Sequence, residues 1–306
     1  MTRFLFRLFL YGLLIALSLE LLVRAFHLYT NDPPRFIDEK GVEKRVPGHT
    51  GFSVTGNRRQ NFSRFSINQA GFNSYREFTP SMTKYDIALI GDSFIEGFHV
   101  DYDESTGKKI EREMADTVAV FEYGYAGYDM ANQLHLVHAY RETFQQMDAI
   151  VVYTDFTTDL DRGAYEPNTG RIALLSSTKF KIRDNIKLLS YVSKIGLLDR
   201  ILGIGPQGQD MMTEGEKKET DAVRLKNLKA LLESYPLDPA KTYFLCDKRT
   251  TNRATMSFLE SRGFTIMDFG VPFSKSELPT TLIYDQHWNH HGRQLIAELI
   301  AKNLNQ

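Results

Sequence analysis

The sequence predicts an α/β protein: three layers, α/β/α, around a central parallel sheet of about five strands, preceded by an N-terminal membrane helix. Three observations predict it. From Tyr85 onward, short apolar runs alternate with longer amphipathic stretches, the pattern of parallel strands covered by helices on both faces. The first of these runs, Asp86 to Ile90, leads directly into Gly91-Asp92-Ser93, and ligands of open α/β sheets bind outside such strand ends. Ahead of all this, Phe4 to Val23 is almost uninterruptedly apolar.

Composition narrows the function classes. With 306 residues the chain makes one large domain or two small ones, and at 42% hydrophobic and 25% charged it can bury a substantial core. A formal net charge of -1 supplies no general field for nucleic acid, so no nucleic-acid partner is expected. Cys246 is the only cysteine, which excludes an intramolecular disulfide framework.

Taken in order, residues 1–29 read as a signal anchor or transmembrane helix. Arg3 and Arg7 precede the apolar run, and Glu20 and Arg24, four apart on one helical face, can pair. An uncleaved anchor is favoured over a cleaved signal peptide and over an ordinary core helix. Basic residues on the N-terminal side place that end in the cytoplasm and the body outside. Residues 30–84 form a lead-in with short β elements. Thr30 to Pro47 reads as linker or irregular chain, Phe62 to Ile67 as hairpin or edge strand, and Asn68 to Gly71 as a turn. Residues 85–306 carry the main α/β unit. Its strands are Asp86 to Ile90, Thr117 to Glu122, Asp148 to Thr154, Lys241 to Cys246 and Phe264 to Phe269. Its helices are Asp103 to Ala115, Asp129 to Gln146 with Asp129 as N-cap, Glu216 to Ser234, Thr251 to Ser261 and Asn289 to Asn303. Residues 162–215 are an insertion, with an amphipathic stretch at Ile186 to Val192 and Ile195 to Leu202, then a glycine-rich, mobile piece at Gly203 to Gln209.

The chemistry starts at Ser93. A serine hydroxyl is a weak nucleophile and needs a base. The far end of the chain offers one in Asp285-Gln286-His287-Trp288-Asn289, just before the closing helix and at the same carboxyl edge of the sheet. His290 and His291 invite a metal reading with His287, but adjacent histidines at a helix start point in different directions. His135 and His138, three apart on one helix, read as packing residues.

Four blocks then carry a family resemblance: Gly91-Asp92-Ser93-Phe94; Tyr123-Gly124-Tyr125-Ala126-Gly127-Tyr128; Tyr153 to Leu160; and Asp285 to Gly292. Together they resemble the SGNH, or GDSL-like, hydrolases and acyltransferases over about Asn68 to Asn303. The segment Ser66-Ile67-Asn68-Gln69-Ala70-Gly71-Phe72 is similar to one preceding the nucleophile strand in bacterial membrane-anchored members. The resemblance implies a flavodoxin-like SGNH fold and a catalytic set of Ser93 as nucleophile, His287 as general base and Asp285 as its orienting carboxylate. It implies an oxyanion hole from the backbone N–H groups of Ser93 and Gly127, with Gly124 the alternative. In the third block the family usually carries Asn-Asp, and here Thr158 precedes Asp159. Losing one oxyanion donor typically costs about 3–4 kcal/mol of transition-state stabilisation, so Thr158 stands in imperfectly, another donor moves in, or activity falls. Substrate-binding positions are Asp92, Asp155, at a strand end where it could hold a substrate hydroxyl, and Trp288, which packs the loop or lines the site against a sugar. Tyr123, Tyr125 and Tyr128 could stack on carbohydrate.

The expected function is a serine-dependent carboxylic-ester hydrolase outside the cytoplasmic membrane. The alternatives are an O-acyl- or O-acetyltransferase modifying cell-envelope or exported polysaccharide, and a non-catalytic SGNH-fold protein that binds glycan. No cofactor and no metal is expected. The partners are an acylated small molecule or carbohydrate and, through the first helix, the membrane.

Overall fold

Strand β5 (Tyr85–Gly91) shows why the sheet forms. Successive side chains of a strand face opposite sides, and here Ala88 and Ile90 enter one core while Ile87 and Leu89 enter another. Both faces are buried, as in parallel sheets covered by helices. The computed structural model describes residues 1–56, 59–81, 83–197, 200, 214–283 and 285–305, with backbone only over 214–219. Its main sheet has five parallel strands in the order β6-β5-β7-β8-β9, where β6 is Val118–Gly124, β7 Ala149–Tyr153, β8 Thr242–Cys246 and β9 Thr265–Asp268.

On one face lie α4 (Met130–Ala139), α9 (Glu214–Ser234) and α10 (Arg253–Ser261), contributing Leu134, Leu228, Leu231 and Leu259 to the core. On the other lie α3 (Thr106–Glu113), the short α11 (Gly270–Lys275) and α12 (His290–Leu304), with Ile110, Phe273, Ile296 and Ile300. The predicted α/β/α layering and five parallel strands are therefore present, with strand ends within a residue or two of expectation. The helix expected over Asp129 to Gln146 is divided at Tyr140 into α4 and α5 (Arg141–Phe144). Tyr140 is drawn toward the lead-in, its hydroxyl donating to Asp38 at 2.5 Å.

The lead-in departs furthest from its description as linker. Thr30 to Pro47 contains an antiparallel pair, β1 (Arg35–Ile37) and β2 (Glu43–Arg45), and all three residues of β2 are buried. A second hairpin, β3 (Thr50–Thr55) with β4 (Asn61–Ser66), follows, and Gly71 turns the chain at φ +89°. Arg45 is the physical reason for this order: it reaches into the main unit and pairs with Glu96.

The first helix, α1 (Thr2–Ala25), is exposed along its length except at Val23. It is long and apolar enough to cross a membrane, one such helix among the described residues. Between β7 and α9 the chain forms α6 (Thr169–Ser176), α7 (Thr178–Asn185) and α8 (Lys187–Lys194). Helix α8 covers the amphipathic stretch expected from Ile186, whereas α6 and α7 had no evident periodic signal. The glycine-rich piece Gly203 to Gln209 lies outside the described residues, as does part of the stretch to Leu202.

Candidate active site

Registers in the sheet decide where the site lies. Gly91 at the end of β5 pairs with Gly124 at the end of β6, and β7 ends beside them at Tyr153. Asp92 then turns the chain, its carboxylate accepting the Phe94 N–H at 2.8 Å and capping the short helix α2 (Ser93–Glu96). Burial pushes the Asp92 carboxyl up to about 7, with the nearby charges of Glu96 and Asp155 adding to the effect. Asp92, expected at the substrate, thus serves as a cap directly beneath Ser93.

His287 arrives on a loop that its own residues fasten. Asn289 caps α12 by accepting the Gly292 N–H at 2.9 Å, while its amide donates to the carbonyls of Pro279 and Thr281 at 2.7 and 3.0 Å. Gly292 lies against the Thr280 carbonyl, where a β-carbon would collide. Trp288 is 2% exposed and packs among Phe94, Tyr153 and Phe269. It forms the floor of the site, with no open face for stacking on a sugar.

This loop brings His287 Nε2 to 2.7 Å from Ser93 Oγ. On the other side of the ring, Nδ1 meets Asp285 Oδ1, which also accepts the His287 backbone N–H at 3.0 Å. For Asp285 burial pushes upward, but the hydrogen bonds and charge from His287 outweigh it and hold its carboxyl below the usual carboxylate range. The three residues singled out in the sequence therefore form one hydrogen-bonded chain.

A fourth residue joins them. His99 Nε2 lies 3.1 Å from Asp285 Oδ2, and its ring stacks on that of His287 with centroids 4.0 Å apart and planes 21° from parallel. Phe94 touches the same imidazole, 4.6 Å between ring centres. Burial, reinforced by the charge of His287, drives the His99 pKa down to about 4. His99 is neutral at physiological pH, and Nε2 must carry its proton to face a carboxylate. Sequence reasoning missed it: Phe98-His99-Val100 has no motif, and the contact joins residues far apart in the chain. The ligand atoms of His99, Asp285 and His287 lie within 4.8 Å of one another. The nearly parallel rings aim their nitrogens side by side at the carboxylate, a geometry unsuited to convergence on a metal ion. His290 and His291 turn away, to Glu104 at 3.2 Å and Ser276 at 2.8 Å. His135 and His138 pack against Tyr165 and Tyr235.

The two glycines after β6 separate into different uses. Gly124 packs on the backbone of α2 at Ile95 and Glu96, too close for any side chain. Gly127 adopts φ +97°, open to glycine at little cost. Among the described residues, neither its N–H nor that of Ser93 has an acceptor within the chain. Glu96 fixes the loop between them by accepting the Ala126 N–H at 3.1 Å while holding Arg45 through both carboxylate oxygens at 2.8 and 3.2 Å. Tyr123, Tyr125 and Tyr128 are buried in the core, so none offers a stacking face to carbohydrate.

Thr158 is exposed, and its hydroxyl faces Asp159 Oδ1 at 3.2 Å and the Asp155 carbonyl at 3.5 Å. In this arrangement its single hydroxyl proton is directed within its own loop. Asp155 accepts the Thr157 N–H and hydroxyl through Oδ1 and borders a cavity of about 410 Å³. Phe94, Arg249, Thr250, Thr281 and Gln286 also line that cavity, which adjoins His287 through its neighbours Gln286 and Trp288.

No protein-family model and no curated protein sequence matches the chain. Solved structures similar to it include a member of the lipolytic protein G-D-S-L family from Veillonella parvula DSM 2008, at 12% identity over 72% of this chain and 98% of that one, TM-score 0.41. A lipase/acylhydrolase from Enterococcus faecalis is 11% identical over 72% of this chain and 94% of that one, TM-score 0.41. A carbohydrate acetylesterase family member from Sinorhizobium meliloti is 9% identical over 72% and 97%, TM-score 0.39.

Proposed function

We propose that the chain is a serine-dependent carboxylic-ester hydrolase of the SGNH type, working through an acyl-enzyme on Ser93. The observation that carries this reading is the 2.7 Å contact between His287 Nε2 and Ser93 Oγ, within hydrogen-bond reach for a nucleophile and its base. Ser93 attacks the ester carbonyl as His287 takes its proton, and Asp285 stabilises the imidazolium that results. The oxyanion sits between the N–H groups of Ser93 and Gly127, preorganised donors that are worth most where water is excluded. His287 then protonates the departing alcohol. Water, deprotonated by the same ring, releases the acid. His99 is a positioning residue, holding the second Asp285 oxygen and the plane of the His287 ring.

Substitution of Ser93 by alanine should abolish labelling by a fluorophosphonate probe and hydrolysis of short-chain esters. Equal labelling of wild type and Ser93→Ala would sink the acyl-enzyme. A folded wild type that never labels would favour glycan binding without catalysis.

A second reading, transfer of the acyl group to a carbohydrate hydroxyl, is favoured by the cavity with Asp155, Arg249, Thr250 and Thr281 on its wall, which offers hydrogen-bonding groups to a polyol. Product analysis with an ester donor and an oligosaccharide acceptor separates the two outcomes. In both, α1 is the membrane anchor, with Arg3 and Arg7 on the cytoplasmic side and the body outside. Retention in membranes during alkaline carbonate extraction tests the anchor.

A further inference from the structure

Helices α6, α7 and α8 contain no buried residue. Three consecutive helices with nothing buried cannot owe their place to a core of their own. They nevertheless expose Leu174, Ile182, Ile186 and Leu189, from 37 to 63% of each residue. Over residues 169–197 the sequence carries six basic side chains and a single acidic one, Asp184, whereas the chain as a whole has net charge -1. On α7, Lys179, Lys181 and Arg183 are all exposed. Large apolar side chains set among lysines and arginines on short helices are the composition of a segment that lies in a membrane interface.

The attachment to α1 sets the height of this segment. Glu20 of α1 accepts the backbone N–H groups of Lys187 and Leu188, the first turn of α8, at 3.0 and 2.6 Å. Arg24 pairs with Glu20 at 2.7 Å and donates to the Asn185 carbonyl, also at 2.7 Å. A helix of 24 residues is about 36 Å long and the hydrocarbon layer is about 30 Å thick, so Glu20 lies near the outer hydrocarbon boundary when α1 spans it. The start of α8 is bonded to that level.

We propose that α6–α8 form a second, peripheral contact with the membrane, in which the exposed leucines and isoleucines enter the headgroup region and the basic side chains meet anionic phospholipid. The proposal rests on the reading of α1 as a membrane span. The surface is continuous with α1, and its charge complements an anionic leaflet.

The test uses the full chain in lipid nanodiscs, with Ile182→Cys carrying an environment-sensitive fluorophore. Cys246 is buried, which directs the label to position 182. In discs containing phosphatidylglycerol, the label should emit at shorter wavelength and lose intensity when lipids bearing a quencher near the headgroup are included. Discs of phosphatidylcholine alone should give a smaller shift, and K179E/K181E/R183E should reduce the shift in phosphatidylglycerol discs. Fluorophosphonate labelling retained at Ser93 shows that the variants are folded. An unquenched label emitting as in water, or a shift indifferent to both lipid charge and charge reversal, overturns the proposal. Release of the full chain by alkaline carbonate would defeat the anchor reading itself, and with it the docking. Retention of the chain without quenching defeats only the docking.

Discussion

Besides the first helix, two stretches lie outside the α/β layers, and they are held in opposite ways. The lead-in is bonded to α2, the helix that begins at Ser93, through a buried charge. Arg45 pairs with Glu96, and Asn73 donates to the Glu96 carbonyl at 2.7 Å. Close by, Ser63 and Asn61 donate to the carbonyls of Phe98 and His99 at 2.5 and 2.6 Å. Helices α6–α8 also carry apolar side chains but bury none fully. The difference teaches that an addition to a fold can be part of the site or part of its surroundings, and that burial of charge tells which. A buried guanidinium left without its carboxylate is costly, so the pairing is all-or-none.

The largest expected effect breaks that pairing. Arg45→Leu leaves Glu96 buried without its partner and should cost about 3–5 kcal/mol of stability. Trp288, the only tryptophan and a buried one, gives a fluorescence signal for the unfolding curve. A loss below about 1 kcal/mol would mean that the lead-in is dispensable to the site.

His99 sharpens the comparison next, since its stretch is the one the lead-in holds. A hydrogen bond to a charged group is worth about 1.5–3 kcal/mol, so His99→Phe, which keeps a ring on His287, should lower kcat about tenfold to a hundredfold with little change in KM. A pH effect accompanies it. Between pH 6.5 and about 4 the unfolded chain binds a proton at His99 that the folded chain refuses. Stability therefore falls as pH drops through that window, by at most about 3 kcal/mol. In His99→Phe this part of the slope should vanish. A slope unchanged by the substitution would place the lost proton elsewhere.

The smallest effect belongs to the other region. Ile182→Ser, on an exposed face, should change stability in detergent by no more than about 0.5 kcal/mol. A larger loss, read from the same tryptophan signal, would mean that the helix is packed against the body.

The contrast also marks what could be read in the chain. The strand Tyr85–Gly91 was legible because burial on both faces demands continuous apolar residues, and Ser93 followed from its place at the strand end. His287 and Asp285 were legible through their motif at a helix start. Arg45 was not. A basic residue in a polar run gives no sign that a carboxylate fifty residues later will bury it. His99 was hidden for the same reason, since its partners arrive by tertiary folding. Trp288 and the three tyrosines show the converse: aromatic type marks proximity to the site but not which way a ring faces. Thr158 was found as a departure, and its hydroxyl turns to its own loop.

The span between Ser93 and His287, 194 residues of chain, has a consequence in time. A chain that emerges N-terminus first exposes its serine long before β8, β9 and the last helix exist. Until the sheet is closed and the loop carrying His287 docks, that serine has no imidazole beside it. On the proposed mechanism, hydrolysis waits for the loop from Asp285 to His287 to dock, so a chain cut before that loop would carry Ser93 as an inert alcohol.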